Sequence, residues 1–185
     1  MEEANATPLK EIVYRGGVVR FRVPADWGEE DDPQTGGTFY SKTPGAGTLR
    51  LKVLALEAAE DSPDFKSKLT KILKTMPTQP PTAWTAIKSI FRKEIPPENP
   101  IEELENGNSM TKYIQKMMEA GNALDVHFWT IGNVVSPRKA RVATFSFTIL
   151  ESLSSDLEMK KTIELLEHEI RTCKFHEQSA TTETK

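Results

Sequence analysis

The stretch Val18–Glu57 constrains the fold more than any other part of the chain. It reads VVRFRVPADW, then GEEDDPQT, then GGTFYSKTPGAGTLRLKVLALE. Side chains on an extended strand alternate between its two faces, so Val19, Phe21 and Val23 share one side while Val18, Arg20 and Arg22 share the other. Pro24 has no N–H to give a ladder and ends the strand. Upstream, Glu11–Arg15 is a second β-type run, and Gly16-Gly17 between the two predicts a tight two-residue hairpin. Thr38–Lys42 and Thr48–Glu57 make the next pair. Along the latter, Leu49, Leu51, Val53 and Ala55 lie on one face. Arg50, Lys52, Leu54 and Leu56 lie on the other, a face that begins cationic and ends apolar. One end of that strand is therefore expected beneath a helix and the other in water. Glu29-Glu30-Asp31-Asp32 reads as a solvated acidic loop joining the hairpins.

Helices are signalled at two places. Ser62-Pro63 supplies an N-cap hydroxyl followed by a proline at the first helical position. Phe65, Leu69, Ile72, Leu73 and Met76 then recur at helical spacing until Pro77, with lysines on the outer face. Ser155-Asp156-Leu157-Glu158 reads as a capping box. It opens a helix over Asp156–Thr172 whose stripe of Ile163, Leu166, Ile170 and Cys173 faces a core. Between these helices, Ser109–Glu119, Ala123–Val135 and Lys139–Glu151 are three long strands joined by short turns, which predicts a meander. In the last of them Ala143, Phe145, Phe147 and Ile149 share a face. The segment Thr78–Gly107 is broken by Pro80-Pro81, Pro96-Pro97 and Pro100, and only Ala83–Lys93 within it is able to form a regular element, helix or strand. The fold class is α+β: one domain over residues 9–177, a mostly antiparallel sheet flanked by helices, with polar tails at 1–8 and 178–185.

Composition limits the function. The 185 residues carry a net charge of −3, which argues against a nucleic-acid binder, since phosphate contacts need concentrated positive charge. No apolar run approaches the length of a membrane span. The single cysteine, Cys173, allows no internal disulfide, and the start MEEANATPLK has no signal-like apolar core, so a cytoplasmic location is expected.

Candidate chemistry is sparse. Asp125 and His127 stand two apart on one strand face, the spacing of an acid beside a base, so a hydrolase or isomerase using this pair is the enzymatic alternative. No nucleophile is placed next to them by sequence, and His127 reads first as an ordinary sheet histidine. The acidic Glu29–Asp32 run lacks the ligand spacing of a calcium loop. Pro44-Gly-Ala-Gly joins strands without a helix N-terminus and does not cradle phosphate. No cofactor or metal is expected. Aromatic side chains are the remaining candidates, because Trp and Tyr anchor interfaces. Trp27 and Trp84, both beside prolines, and Tyr40 are the residues expected to contact a protein partner, with at least one of the two indoles exposed at the rim of an apolar groove.

Taken together, FRVPADW, the GGTFY and GTLRLKVLALE hairpin, HFWTIGNVV, ARVATFSFTIL and KKTIELLEHEI resemble, in order and character, the bacterial Mog/PsbP-like group of small α/β/α sandwiches. The resemblance spans most of Ile12–Phe175. Members of that group serve as photosystem extrinsic subunits, Ran-binding factors, envelope lipoproteins and adaptor chaperones for type VI secretion effectors. What the resemblance implies is a non-enzymatic module that binds another protein, as an adaptor or as a chaperone of such effectors, with no family catalytic motif to carry over.

Overall fold

The computed structural model describes residues 7–43, 45–58, 64–75 and 100–176. Two antiparallel sheets share one core. The larger is built from β3 (Gly28–Asp32), β4 (Gly36–Tyr40), β5 (Thr48–Glu57), β6 (Glu102–Glu103), β7 (Ser109–Glu119), β8 (Asn122–Ser136) and β9 (Lys139–Leu150). Its spatial order is β3-β4-β5-β9-β8-β7-β6. The smaller, ordered β1-β2-β10, comprises β1 (Leu9–Tyr14), β2 (Val19–Pro24) and β10 (Lys174–Phe175). Two helices complete the described part, α1 (Phe65–Thr75) and α2 (Leu157–Arg171).

Register explains where the core sits. Across the large sheet Phe39 stands opposite Leu49, Leu49 opposite Phe147, and Phe147 opposite His127. The next row runs Leu51, Phe145, Trp129, and the one after it Val53, Ala143, Ile131, Met110. Strands with even side-chain period keep such rows on one face. Against this face pack Ile12, Tyr14, Val19, Phe21 and Val23 of the small sheet and Met159, Leu166 and Ile170 of α2. On the opposite face Phe65, Leu69 and Leu73 of α1 cover Ala140 and Val142, with Leu56 and Val134 alongside. Helices thus lie on both faces of a mostly antiparallel sheet, the α+β class expected. The apolar end of β5 lies beneath α1 at Leu56, while Leu54 on the same face remains exposed.

The seat of α1 depends on Gly132, where a Cβ would stand 2.9 Å from Leu73 Cδ1 and 3.0 Å from Leu69 Cδ2. The helix therefore approaches the sheet more closely than any larger residue at that position allows.

Several local expectations are corrected. The β1–β2 connection is not a two-residue turn. Tyr14 pairs with Val19, and Arg15, Gly16 and Gly17 form a 3-10 turn with φ of 44°, 68° and 93°. Three successive left-handed residues need glycine at most positions, and the two glycines supply it. The acidic segment is not a loop: Gly28–Asp32 is an edge strand paired to Gly36–Tyr40, so that fourth strand begins two residues before the expected Thr38. Acidic side chains exposed along a sheet edge discourage edge-to-edge pairing, which is why a strand so poor in β-formers is tolerated there. At α2 the cap is Asp156, whose carboxylate accepts from the Met159 backbone N–H at 3.0 Å, rather than a box built on Ser155. Pro8, read as tail, has its carbonyl held by the Ala25 N–H at 2.8 Å. The expected helix opening at Ser62-Pro63, the Ala83–Lys93 segment and Trp84 lie outside the described residues.

Candidate functional site

The edge strand of the small sheet, β1, and the edge strand of the large sheet, β3, run past each other without a ladder between them among the described residues. Between them lies a cleft of about 470 Å³. Its lining is Ile12, Tyr14, Gly37 and Phe39 at the base, with Glu11, Arg15, Glu29, Glu30 and Asp31 around them. Glu29 stands opposite Phe39 and Asp31 opposite Gly37, so these two carboxylates share the core-facing side of the sheet and lean into the cleft. Glu30, one residue out of phase, points to the other face, where its carboxylate accepts from the Tyr40 hydroxyl at 2.9 Å.

Tyr14 is the unusual member. The residue is only 4% exposed, and its ring lies against Gly37, where a Cβ would stand 2.9 Å from the ring edge. The hydroxyl lies beside the Gly37 backbone and the Asp31 carboxylate, both of which act on it. Burial, reinforced by Asp31, pushes this phenol above its ordinary pKa, against the opposing pull of Arg15.

Arg15 closes the cleft at one end. Its guanidinium carbon sits 5.2 Å from the Tyr14 ring centroid, and Nη2 donates to Asp31 Oδ1 at 3.3 Å and to the Asp32 carbonyl at 3.0 Å. The bond to Asp31 holds the guanidinium pKa above its usual value. At the other end Lys10 Nζ donates to the Trp27 carbonyl at 2.8 Å and lies 3.9 Å from Glu29. Asp32 caps the β3–β4 turn by accepting from the Gln34 and Thr35 N–H groups at 2.7 and 3.0 Å, and these bonds depress its pKa.

The residues singled out from sequence are dispersed. Trp27 is 5% exposed and stacks on Phe147 with ring centroids 6.0 Å apart, so it is a core plug at the end of the sandwich and offers no docking surface. Its Pro-Ala-Asp-Trp turn carries the indole back over the sheet through a Trp27 N–H to Pro24 carbonyl bond of 3.1 Å. Tyr40 is half-buried and, with Ser41, Thr43, Thr48, Leu124 and Thr148, lines a separate, more open cleft of about 360 Å³.

His127 and Asp125 share a face but not a hydrogen bond. His127 stacks on Trp129 with centroids 5.9 Å apart, and burial lowers its pKa against the pull of Asp125 and Glu167. Asp125 accepts from the Ser154 hydroxyl and faces Lys116 at 4.0 Å. The structure therefore brings a serine to the acid and leaves the imidazole apart, the reverse of a nucleophile held by a base. Cys173, 1% exposed, has its thiol pKa pushed up to about 12 by burial and is inert as a nucleophile. Among the described residues no group of three or more His, Cys, Asp or Glu side chains is placed to hold a metal ion.

Sequence reasoning missed Tyr14. Its parity with Ile12 marks it as core-facing, but nothing in the string shows that an acidic strand passes beside it.

No family model and no curated protein sequence matches the chain. Solved structures do share the fold. A protein from Bacteroides thetaiotaomicron aligns with 14% identity and a TM-score of 0.55 over 91% of this chain and 49% of that one, so the chain spans about half its length. LpqN of Mycobacterium tuberculosis, described as involved in cell envelope biogenesis, aligns with 12% identity and a TM-score of 0.52 over 94% and 88%. The Ran-binding protein Mog1p of Saccharomyces cerevisiae aligns with 8% identity and a TM-score of 0.47 over 92% and 96%. At these identities the likeness is one of fold. Among the described residues, no helix is long and apolar enough to cross a membrane.

Proposed function

We propose that this chain is a non-enzymatic protein-binding module of adaptor type, acting in the cytoplasm. The observation that carries the reading is the cleft between β1 and β3. It is flanked by two strand edges that make no ladder with each other, and its base is apolar with charged walls. Strand edges offer main-chain donors and acceptors to an added extended segment, while pockets beside them select its side chains. Asp125 and His127 support the enzymatic alternative less well, because the acid is engaged by Ser154 and the imidazole is stacked on Trp129.

The test is affinity capture from the cytosol of cells that encode the protein, followed by reconstitution from purified components. A partner protein that rebinds stoichiometrically supports the module. Failure to reconstitute any partner, together with turnover that His127→Ala abolishes, would replace it with the enzyme reading.

A further inference from the structure

We propose that His127 is a pH-sensitive latch: on protonation its imidazole turns from the Trp129 indole to the Oδ1 oxygen of Asp125, at the junction where the large sheet seats α2.

His127 stands in the middle of three successive rows across β7, β8 and β9. Its own row is Ile114, His127 and Phe147. On one side lie Lys112, Trp129 and Phe145, and on the other Lys116, Asp125 and Ile149. Period-two alternation puts all three rows on one face, with the Asp125 and Trp129 Cα atoms each about 7 Å from that of His127. An imidazole spans that gap in either direction by rotating about its own side-chain bonds. In the structure it takes the Trp129 side, with ring centroids 5.9 Å apart and planes 22° from parallel. On the Asp125 side an acceptor remains. Asp125 is 6% exposed, and its Oδ2 accepts from the Ser154 hydroxyl. Oδ1 is buried with no hydrogen-bond partner among the described residues, the Lys116 ammonium standing 4.0 Å away.

The surrounding charges favour a cation that moves toward Asp125. α2 contributes Glu167, already held by Lys112 and Arg171. β7 contributes Lys112 and Lys116, the turn before α2 adds Glu151, to which Lys116 donates, and β9 faces His127 with the apolar Phe145, Phe147 and Ile149. An imidazolium left over the indole gains a cation–π contact. One turned to Asp125 gains a charge-assisted hydrogen bond to a buried carboxylate, the stronger of the two. Burial keeps the ring neutral, and so on Trp129, until the pH falls below the ordinary histidine value. Both neighbours of His127 are ties to α2. Ser154, bonded to Asp125, lies two residues before the Asp156 cap, and Trp129 Nε1 donates to Glu167 Oε2 at 3.3 Å near the other end of the helix. Turning the imidazole therefore alters the contacts that seat α2 near both ends.

The test follows tryptophan emission and the NMR spectrum of the full chain between pH 8 and 5. An imidazolium in contact with an indole quenches its fluorescence, so the two ring positions are distinguishable. Relative to His127→Gln, wild-type emission is expected to stay level as the imidazole titrates. Asp125→Asn, which leaves the imidazolium only the indole, should show a fall. The same variant should lower the His127 midpoint by about one pH unit, a tenfold weaker hold on the proton. Nuclear Overhauser contacts between the imidazole and the Trp129 ring, present at pH 8, should be lost at pH 5, with amide shifts at Ser154 and Glu167 following the same midpoint. Should Asp125→Asn fail to fold, the wild-type ring contacts at the two pH values decide alone. A fall in wild-type emission on protonation, or contacts to Trp129 retained at pH 5, overturns the latch. So does an Asp125→Asn protein whose midpoint and emission match the wild type.

Discussion

Arg22 grips Glu169 through one edge of its guanidinium in two bonds, with Nε 2.7 Å from Oε2 and Nη2 2.9 Å from Oε1. The pair joins β2 of the small sheet to α2, and Glu169 is only 3% exposed. It is the polar counterpart of the core in which Phe21 and Ile170 are both buried. Glu169 is therefore the residue at risk when Arg22 is altered, because a buried carboxylate without its partner is unfavourable. Arg22→Ala is expected to lower the melting temperature by several degrees, and Arg22→Lys by less, since an ammonium cannot reproduce the two-pronged geometry. Replacing both, Arg22→Met with Glu169→Leu, should recover most of the loss. Thermal denaturation of the four proteins checks this, and an unchanged melting temperature for Arg22→Ala would show that the fork contributes nothing.

Trp27→Ala removes an indole stacked on Phe147 and leaves a cavity at the end of the sandwich. Large-to-small changes of this kind cost about 3–5 kcal/mol. The melting temperature should fall by roughly 10 °C for a domain of this size. A variant that melts like the wild type would mean the indole is not a core residue.

Gly36 opens β4 at φ 101°, and a Cβ there would run into the Leu51 carbonyl oxygen. Because the obstacle is backbone, no rotamer change relieves it. Gly36→Ala should cost at least about 2 kcal/mol, from a disfavoured φ and the displacement of β5. Chemical denaturation measures it, and stabilities within experimental error of each other would contradict the geometry.

His127 makes stability depend on pH. Burial lowers its pKa in the folded state, so the unfolded chain binds a proton more readily near the ordinary histidine value of about 6.5. Where the unfolded state holds more protons, stability rises with pH. The protein should therefore lose stability as pH falls from above 6.5 into the folded-state range. The carboxylates whose pKa is depressed, Asp32, Glu102 and Glu103, lose their stabilising contribution only at lower pH. Urea titrations at pH 7.5 and 5.5 should show a difference for the wild type that shrinks in His127→Gln. An equal difference in both would assign the slope elsewhere.

Much of the sheet was legible from period and punctuation. The meander over residues 109–151, the two faces of Thr48–Glu57 and the core stripe of α2 follow from alternation or helical spacing, since burial on one face imposes those periods whatever the partner. What misled were sites where composition and context disagreed. Glu29–Asp32 has the composition of a loop but is a strand, because Gly36–Tyr40 offers a ladder and the edge leaves every acidic side chain in water. Trp27 has the neighbours of an exposed loop residue, yet the turn after Pro24 folds it onto Phe147. The Ser155 box gave way to Asp156, one residue on, because either side chain can cap and the helix start follows the packing of Met159.

The sequence by itself determined the α+β class and the faces that had to be buried, because those depend on residues close together along the chain. The tertiary structure alone decided the cleft. Tyr14 and Asp31 are 17 positions apart and belong to different sheets, and their meeting depends on how the small sheet is laid over the large one by Phe21, Phe39 and Phe145. Such packing is set by the combined shape of side chains from distant segments, which no local period encodes.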